Sequence, residues 1–159
     1  MGVAGCGKTT FSRALGERLA HFIVVEADDF HSLGSKEKME KGIPLNDNDR
    51  YPWLLSISSE LRSNENVILA CSALKKAYRD IIFDGIPRHN ILVLFLDIYP
   101  EDSYSRLKKR NVGFFNPQLC VSQFQALEIP EESENYKHLL FSRDFTSMDK
   151  LLEKVVSLI

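Results

Sequence analysis

The chain is poor in the features that mark special classes of protein. Its 159 residues include one tryptophan, three methionines and three cysteines. An odd number of cysteines, Cys6, Cys71 and Cys120, without metal-ligand spacing argues against a disulfide framework and favours a reducing compartment, the cytoplasm. No apolar run approaches the length of a membrane span, and the N-terminus lacks a signal-peptide pattern. With a formal net charge of −2, the chain has no global electrostatic pull towards nucleic acid or acidic membranes. Internal repeats and low-complexity linkers are missing too. What is there is ordinary for a globular protein, 44% hydrophobic and 26% charged, in a length that suits one domain spanning residues 1–159.

The first informative stretch is the beginning, Gly2-Val3-Ala4-Gly5-Cys6-Gly7-Lys8-Thr9. It fits the phosphate-binding pattern G-x-x-x-x-G-K-[ST] without a mismatch. Glycines let backbone N–H groups approach a phosphate chain, and the helix that follows aims its positive end at the same anion. Lys8 supplies a charge for the β- and γ-phosphates, and the Thr9 hydroxyl a ligand for Mg²⁺. Gly2, Gly5, Cys6, Gly7, Lys8, Thr9 and Thr10 are thus the candidate nucleotide-binding set, with ATP and Mg²⁺ as cofactors. Cys6, at a helix N-terminus beside a lysine, is a candidate reactive thiol that ATP would shield; the plainer reading is a small residue filling a loop position.

Along the chain, apolar patterning alternates between strand and helix. Phe11, Ala14, Leu15 and Leu19 have helical spacing from Thr9 onward. Phe22–Val25 reads as a short buried strand that ends in Glu26-Ala27-Asp28-Asp29. A short helix is expected near Lys36–Lys41. Pro52 fits the first turn of a helix carrying Trp53, Leu54, Ile57 and Leu61. Val67–Cys71 reads as a strand, Leu74 to Ile82 as a helix face, and Ile91–Leu96 as a buried strand. Pro100, Glu101 and Asp102 open a helix that closes in Lys108, Lys109 and Arg110, complementing the macrodipole at both ends. Residues 111–118 read as a lid segment, Pro117–Leu127 as a helix, and His138–Phe141 as a last short strand. Thr146 and Asp149 cap a terminal helix with the stripe Met148, Leu151, Leu152, Val155, Val156 and Ile159. The expected class is α/β, a mostly parallel sheet covered on both faces by helices.

Two clusters bear on what receives a phosphate. Ligands gather at the carboxyl ends of strands in open α/β sheets. Glu26 and Asp28 lie at one such end, where one acid can help place Mg²⁺ and the other accept a hydroxyl proton. The bland alternative is a solvated acidic turn. Ser72, Lys75 and Arg79 follow another strand end, in Cys71-Ser72-Ala73-Leu74-Lys75-Lys76-Ala77-Tyr78-Arg79-Asp80. Lys75 and Arg79 are i, i+4 neighbours that suit an anionic substrate or a transferring phosphate, or a solvated basic face.

The blocks GVAGCGKT, ADDFH, KMEKGIPLNDNDRYPWL, CSALKKAYRD and SQFQALEIP together resemble the gluconokinase family, in order and spacing over roughly residues 2–130. The resemblance implies a three-layer P-loop NTPase fold of nucleoside-monophosphate-kinase type, with transfer of the ATP γ-phosphate to the 6-hydroxyl of D-gluconate. It implies that Asp28 sits at the acceptor hydroxyl, and that His31, Arg50, Ser72, Lys75 and Arg79 surround the substrate or its transferring phosphate. Lys8, Asp28, Lys75 and Arg110 would be catalytic, Thr9 and Glu26 metal ligands, and Arg106 and Arg110 the adenine-side and lid arginines. A homodimer is compatible with the family. Two other readings stand beside this one: a kinase of another small acid such as shikimate, and a nucleotide-binding member that has lost catalysis.

The chain departs from the family pattern in three places. Val112-Gly113-Phe114 stands where Gly-His-Phe is usual, His31-Ser32 with Ser35 where His-Pro and Asn are usual, and Glu26 where aspartate is usual. Asp97, which ends an apolar run in the manner of a Walker B strand, is read as a strand-end residue. A phosphate loop normally follows a buried strand, and here only Met1 precedes it. The expectation is therefore an apolar strand upstream, whose absence would leave two facing sheet edges unpaired.

Overall fold

The computed structural model describes residues 1–109, 117–140 and 148–159. Helix α1 (Lys8–Arg18) leads to strand β1 (Ile23–Glu26), a single 3₁₀ turn (Ala27–Phe30) and helices α2 (Leu33–Glu40) and α3 (Asp47–Ser63). Strand β2 (Val67–Ala70), helix α4 (Lys76–Ile82), strand β3 (Val93–Asp97) and helix α5 (Pro100–Lys109) come next. Helix α6 (Pro117–Ala126), strand β4 (Tyr136–Leu140) and helix α7 (Met148–Val156) complete the order.

Both strand ladders are parallel, as the alternation of strand and helix predicts. β1 pairs with β2 from Ile23↔Val67 to Glu26↔Ala70, and β3 with β4 from Val93↔Tyr136 to Asp97↔Leu140. Met1 lies against β3. Its amino group donates to the Leu94 carbonyl, its own carbonyl accepts from Leu96 N–H at 2.9 Å, and Gly2 N–H donates to Ser72 O just past β2 at 3.2 Å. The first two residues therefore bridge β3 and the end of β2. Burial lowers the pKa of the Met1 amino group to about 6.

Helices cover both faces. Phe11 and Leu15 of α1 and Leu151, Leu152 and Val155 of α7 form one core with Leu96 and Leu139, joined by Ile68. Trp53, Leu54 and Ile57 of α3 and Ile82 of α4 form another with Ala27 and Cys71, joined by Leu69. Adjacent residues of β2 thus feed opposite cores, as the two-residue period of a strand requires. β1 departs from the expected fully buried strand: Ile23 and Val24 are 44% and 36% exposed, because β1 has a hydrogen-bonded neighbour on one side only among the described residues.

Three helix starts differ from expectation for local reasons. α3 begins five residues before Pro52, because Asn46 and Asp49 form a capping box: Asp49 N–H donates to Asn46 Oδ1 at 2.9 Å and Asn46 N–H to Asp49 Oδ2 at 3.1 Å. α4 begins at Lys76, not Leu74, because Ala73 is left-handed (φ 44°) and Lys75 is extended. The expected short helix near Lys36–Lys41 starts earlier, at Leu33, capped by the Ser32 hydroxyl accepting Ser35 N–H at 3.1 Å. The 111–116 part of the expected lid and Thr146 of the expected C-terminal cap lie outside the described residues.

Candidate active site

The phosphate loop leads straight into α1. Gly7, the N-cap, is left-handed (φ 99°) and brings no capping side chain, and the first turn holds no acidic residue. The leading N–H groups of α1 and the positive end of its dipole therefore suit an anion. Gly2 has to be glycine: with φ 146°, a Cβ there would lie 2.6 Å from Leu96 O. Lys8 folds back on the loop, its ammonium donating to Gly2 O and Val3 O at 3.0 Å each. Arg106 reaches the loop from α5, donating to Gly5 O at 3.4 Å. Thr10 is exposed beside it on the first turn of α1. Arg110 lies outside the described residues.

Cys6 takes the plainer of its two readings, and the reactive-thiol alternative is corrected. It is fully buried (0% exposed), close under Gly2, so it fills space in the loop and does not meet reagents from solvent. Cys71 and Cys120 are buried as well, and burial pushes the Cys71 thiol up to about 11.

At the end of β1, Thr9 Oγ1 donates to Glu26 Oε2 at 3.2 Å, while Glu26 Oε1 is buried with no hydrogen-bond partner. An orphaned carboxylate oxygen beside a hydroxyl is a donor set for a small hard cation. No group of three or more His, Cys, Asp or Glu among the described residues could hold a metal by itself. Mg²⁺ needs no such cage, since it keeps waters and takes one or two protein ligands plus phosphate oxygens. Thr9 and Glu26 fit that role.

Asp28 is exposed on the turn after β1, and His31 is buried at its end. The His31 ring stacks on Trp53 at 4.5 Å, and Trp53 Nε1 donates to Ala27 O at 2.7 Å, which fixes both rings against the turn. Burial lowers the His31 pKa, with the Asp28 charge pulling the other way, and His31 Nδ1 has no hydrogen-bond partner. A neutral imidazole with a free nitrogen is therefore held beside the acid.

Arg50 and Lys75 form a cationic cluster around Asp47 and Tyr78. Lys75 and Arg50 come within 3.6 and 3.8 Å of Asp47 Oδ1, and both sit over the Tyr78 ring, 5.2 and 5.8 Å from its centroid. The Tyr78 hydroxyl donates to the same Asp47 oxygen, which holds the Asp47 carboxyl below its usual range. Asp47 and Tyr78 are the residues that sequence reasoning passed over here. Both belong to blocks it singled out, Asp47 in PLNDNDRYPWL and Tyr78 in CSALKKAYRD.

Arg79 is a correction. It was expected to face the substrate, but its side chain is 1% exposed and its donors are spent inside the protein. Nε and Nη2 donate to Glu134 at 2.6 and 3.1 Å, and Nη1 donates to the carbonyls of Ala73, Leu74 and Glu128 at 3.0, 3.2 and 3.0 Å. Burial raises the Glu134 pKa, but the Arg79 bonds and Glu131 N–H outweigh it and leave the carboxyl lowered. The helical spacing of Lys75 and Arg79 misled because Lys75 precedes the helix: the two side chains do not share a face. Arg79 instead holds the turn from which Lys75 projects. A cavity of about 250 Å³ beside this ion pair is lined by Asp80, Phe83 and Arg88 among others and does not include the phosphate loop.

The loop is thus tied to the end of β1 through Thr9 and Glu26 and to the end of β2 through Gly2 and Ser72. Known proteins resemble this chain in sequence and fold. The family described as "AAA domain" matches residues 1–122. A probable gluconokinase of Dictyostelium discoideum is 42% identical over 164 residues, 98% of this chain and 82% of that protein. A gluconokinase of Arabidopsis thaliana is 35% identical over 172 residues, covering 99% and 90%. The chain belongs to the gluconokinase family. The crystal structure of a gluconokinase from Sinorhizobium meliloti 1021 superposes with a TM-score of 0.84 at 29% identity, over 99% of this chain and 87% of that one. The fold is accordingly that of a P-loop kinase, and the family resemblance of the sequence blocks holds over nearly the whole chain. No helix among the described residues is long and apolar enough to cross a membrane.

Proposed function

We infer that this gluconokinase-family chain moves the γ-phosphoryl group of ATP to the 6-hydroxyl of D-gluconate, giving ADP and 6-phosphogluconate. The observation that carries the reading is the Thr9–Glu26 bond, which brings the phosphate loop beside the turn bearing Asp28 and His31. Lys8 and the leading N–H groups of α1 hold the phosphate chain. When bound, Mg²⁺ at Thr9 and Glu26 offsets charge on the phosphate oxygens.

Asp28 takes the proton of the acceptor hydroxyl as its oxygen bonds to the γ-phosphorus, and the bridging oxygen leaves with ADP. Arg50 and Lys75 receive the anionic acceptor, exchanging the Asp47 carboxylate for the carboxylate of the sugar acid. His31 offers its free nitrogen to an acceptor hydroxyl. Arg106, from α5, serves the nucleotide side. The three free, buried cysteines support a cytoplasmic setting.

The test is ADP release from ATP·Mg²⁺ with gluconate, shikimate, glycerate or no acceptor. Turnover that depends on gluconate supports the reading. Preference for shikimate or glycerate reassigns the acceptor, and no turnover with any of them leaves a nucleotide-binding protein without this activity.

A further inference from the structure

One block that the proposed chemistry leaves without a task is Ser122 to Pro130, which starts in α6 and runs past its end. Gln123 reaches the phosphate loop: its Oε1 accepts Ala4 N–H at 2.6 Å. The Ala4 carbonyl accepts from Ser103 Oγ at 2.8 Å, and Ser103 on α5 is fully buried. Ala4 is therefore held from α6 on one side and α5 on the other. Glu128 reaches the acceptor side. Its carboxylate accepts Lys76 N–H at 2.5 Å, its N–H donates to Leu74 O at 2.8 Å, and its carbonyl accepts from Arg79 at 3.0 Å. Lys76 is the first residue of α4 and follows Lys75 directly.

Gln123 and Glu128, only five positions apart, thus touch both halves of the site. We propose that Gln123 and Glu128 are positioning residues, and that their block is a brace setting the phosphate loop in register with the turn that carries Lys75. Neither side chain needs to touch a substrate; Gln123 acts through the Ala4 peptide and Glu128 through the start of α4. Phosphoryl transfer is mostly positioning, and a displacement of about 1 Å can cost on the order of 10²-fold in rate. The chemistry of the two residues suits the two ends. A neutral amide accepts the loop N–H without placing negative charge near bound phosphates, whereas a carboxylate suits the positive start of a helix.

This inference rests on the phosphoryl-transfer reading, so its first arm is measured without an acceptor. Gln123→Met keeps length and removes the hydrogen-bond acceptor. It should weaken binding of a fluorescent ATP analogue with Mg²⁺ by about tenfold, with the folded near-ultraviolet dichroism retained. Gln123→Asn, shorter by a methylene, serves if the first variant does not fold, and should weaken binding in the same direction.

In the second arm, Glu128→Met should raise the KM for gluconate by about tenfold and leave nucleotide binding within twofold. Glu128→Gln keeps an oxygen for Lys76 N–H and should restore most of the loss. Nucleotide affinity unchanged in a folded Gln123 variant, or equal losses for both ligands in both variants, would overturn the brace. Absence of gluconate turnover in the unmodified protein would instead refute the proposed acceptor. In that case nucleotide binding in the Gln123 and Glu128 variants still decides the brace: loss in the first and not the second supports it, and any other pattern overturns it.

Discussion

Removing Glu134 from beneath Arg79 tests the deepest ion pair of the described structure. Both side chains are almost wholly buried, at 1% and 3% exposed. Glu134→Leu leaves a guanidinium inside the protein without its counter-charge, which costs about 3–5 kcal/mol. Against a typical domain stability of about 5–15 kcal/mol, that is a third or more of the total for most domains. With a urea slope of about 2 kcal/mol per molar, the midpoint should fall by about 2 M.

The informative variant is the double one, Arg79→Met with Glu134→Leu. Buried ion pairs replaced by apolar side chains are often neutral or better, because the desolvation cost disappears. Arg79 differs, since its Nη1 also serves the carbonyls of Ala73, Leu74 and Glu128. Leu74 O keeps Glu128 N–H, whereas the Ala73 and Glu128 carbonyls lose this donor, at about 1–3 kcal/mol each. Relief of desolvation offsets part of this, so the double variant should unfold about 1–3 kcal/mol more easily than the unmodified protein, yet less easily than either single variant. Trp53, the sole tryptophan, is buried against His31 and gives the fluorescence signal for the titration. A double variant as stable as the parent would refute the importance of these carbonyl bonds.

Other outcomes follow from the site. Asp28→Asn should lower kcat by about 10²–10⁴ and leave nucleotide affinity nearly unchanged, as loss of a general base does; near-normal turnover would remove Asp28 from the proton transfer. Glu26→Gln should raise the Mg²⁺ concentration for half-maximal activity by about tenfold, since one charged oxygen of the Thr9–Glu26 pair is lost; an unchanged Mg²⁺ titration contradicts that assignment. Because burial lowers the His31 pKa, the unfolded chain takes up a proton below about pH 6.5 that the folded chain refuses. Stability from the neutral ring is complete above that pH and is lost as pH falls towards the folded pKa, by up to about 1.4 kcal/mol per unit. Chemical denaturation at several pH values should show a shallower dependence in His31→Gln. The Met1 amino group, also lowered by burial, titrates in both proteins alike, so identical pH profiles would exclude His31 as a contributor.

The phosphate loop and the order of strands and helices were legible because they are written in local sequence. Glycines at Gly2 and Gly7 meet backbone demands that other residues would not, and apolar spacing in α1, α3 and α7 marks the faces that pack. The start of α3 was less legible, because Pro52 is a loud signal and the Asn46–Asp49 box a quiet one. The same asymmetry hid Asp47, an acid amid acids until Tyr78, Arg50 and Lys75 are folded around it.

The sequence by itself marked the nucleotide side of this protein, since the eight residues from Gly2 to Thr9 fit the phosphate-loop pattern without a mismatch. It also determined the family, through blocks whose spacing survives without any structure. Only the tertiary structure decided which charges serve a ligand and which serve the fold. Lys75 and Arg79 are alike in sequence, yet one projects from an extended residue at the surface and the other is buried on Glu134. Burial and a partner fifty-five positions away in sequence decide that difference, and no local pattern encodes them. The same holds for Gln123, which meets Ala4 across 119 positions of chain.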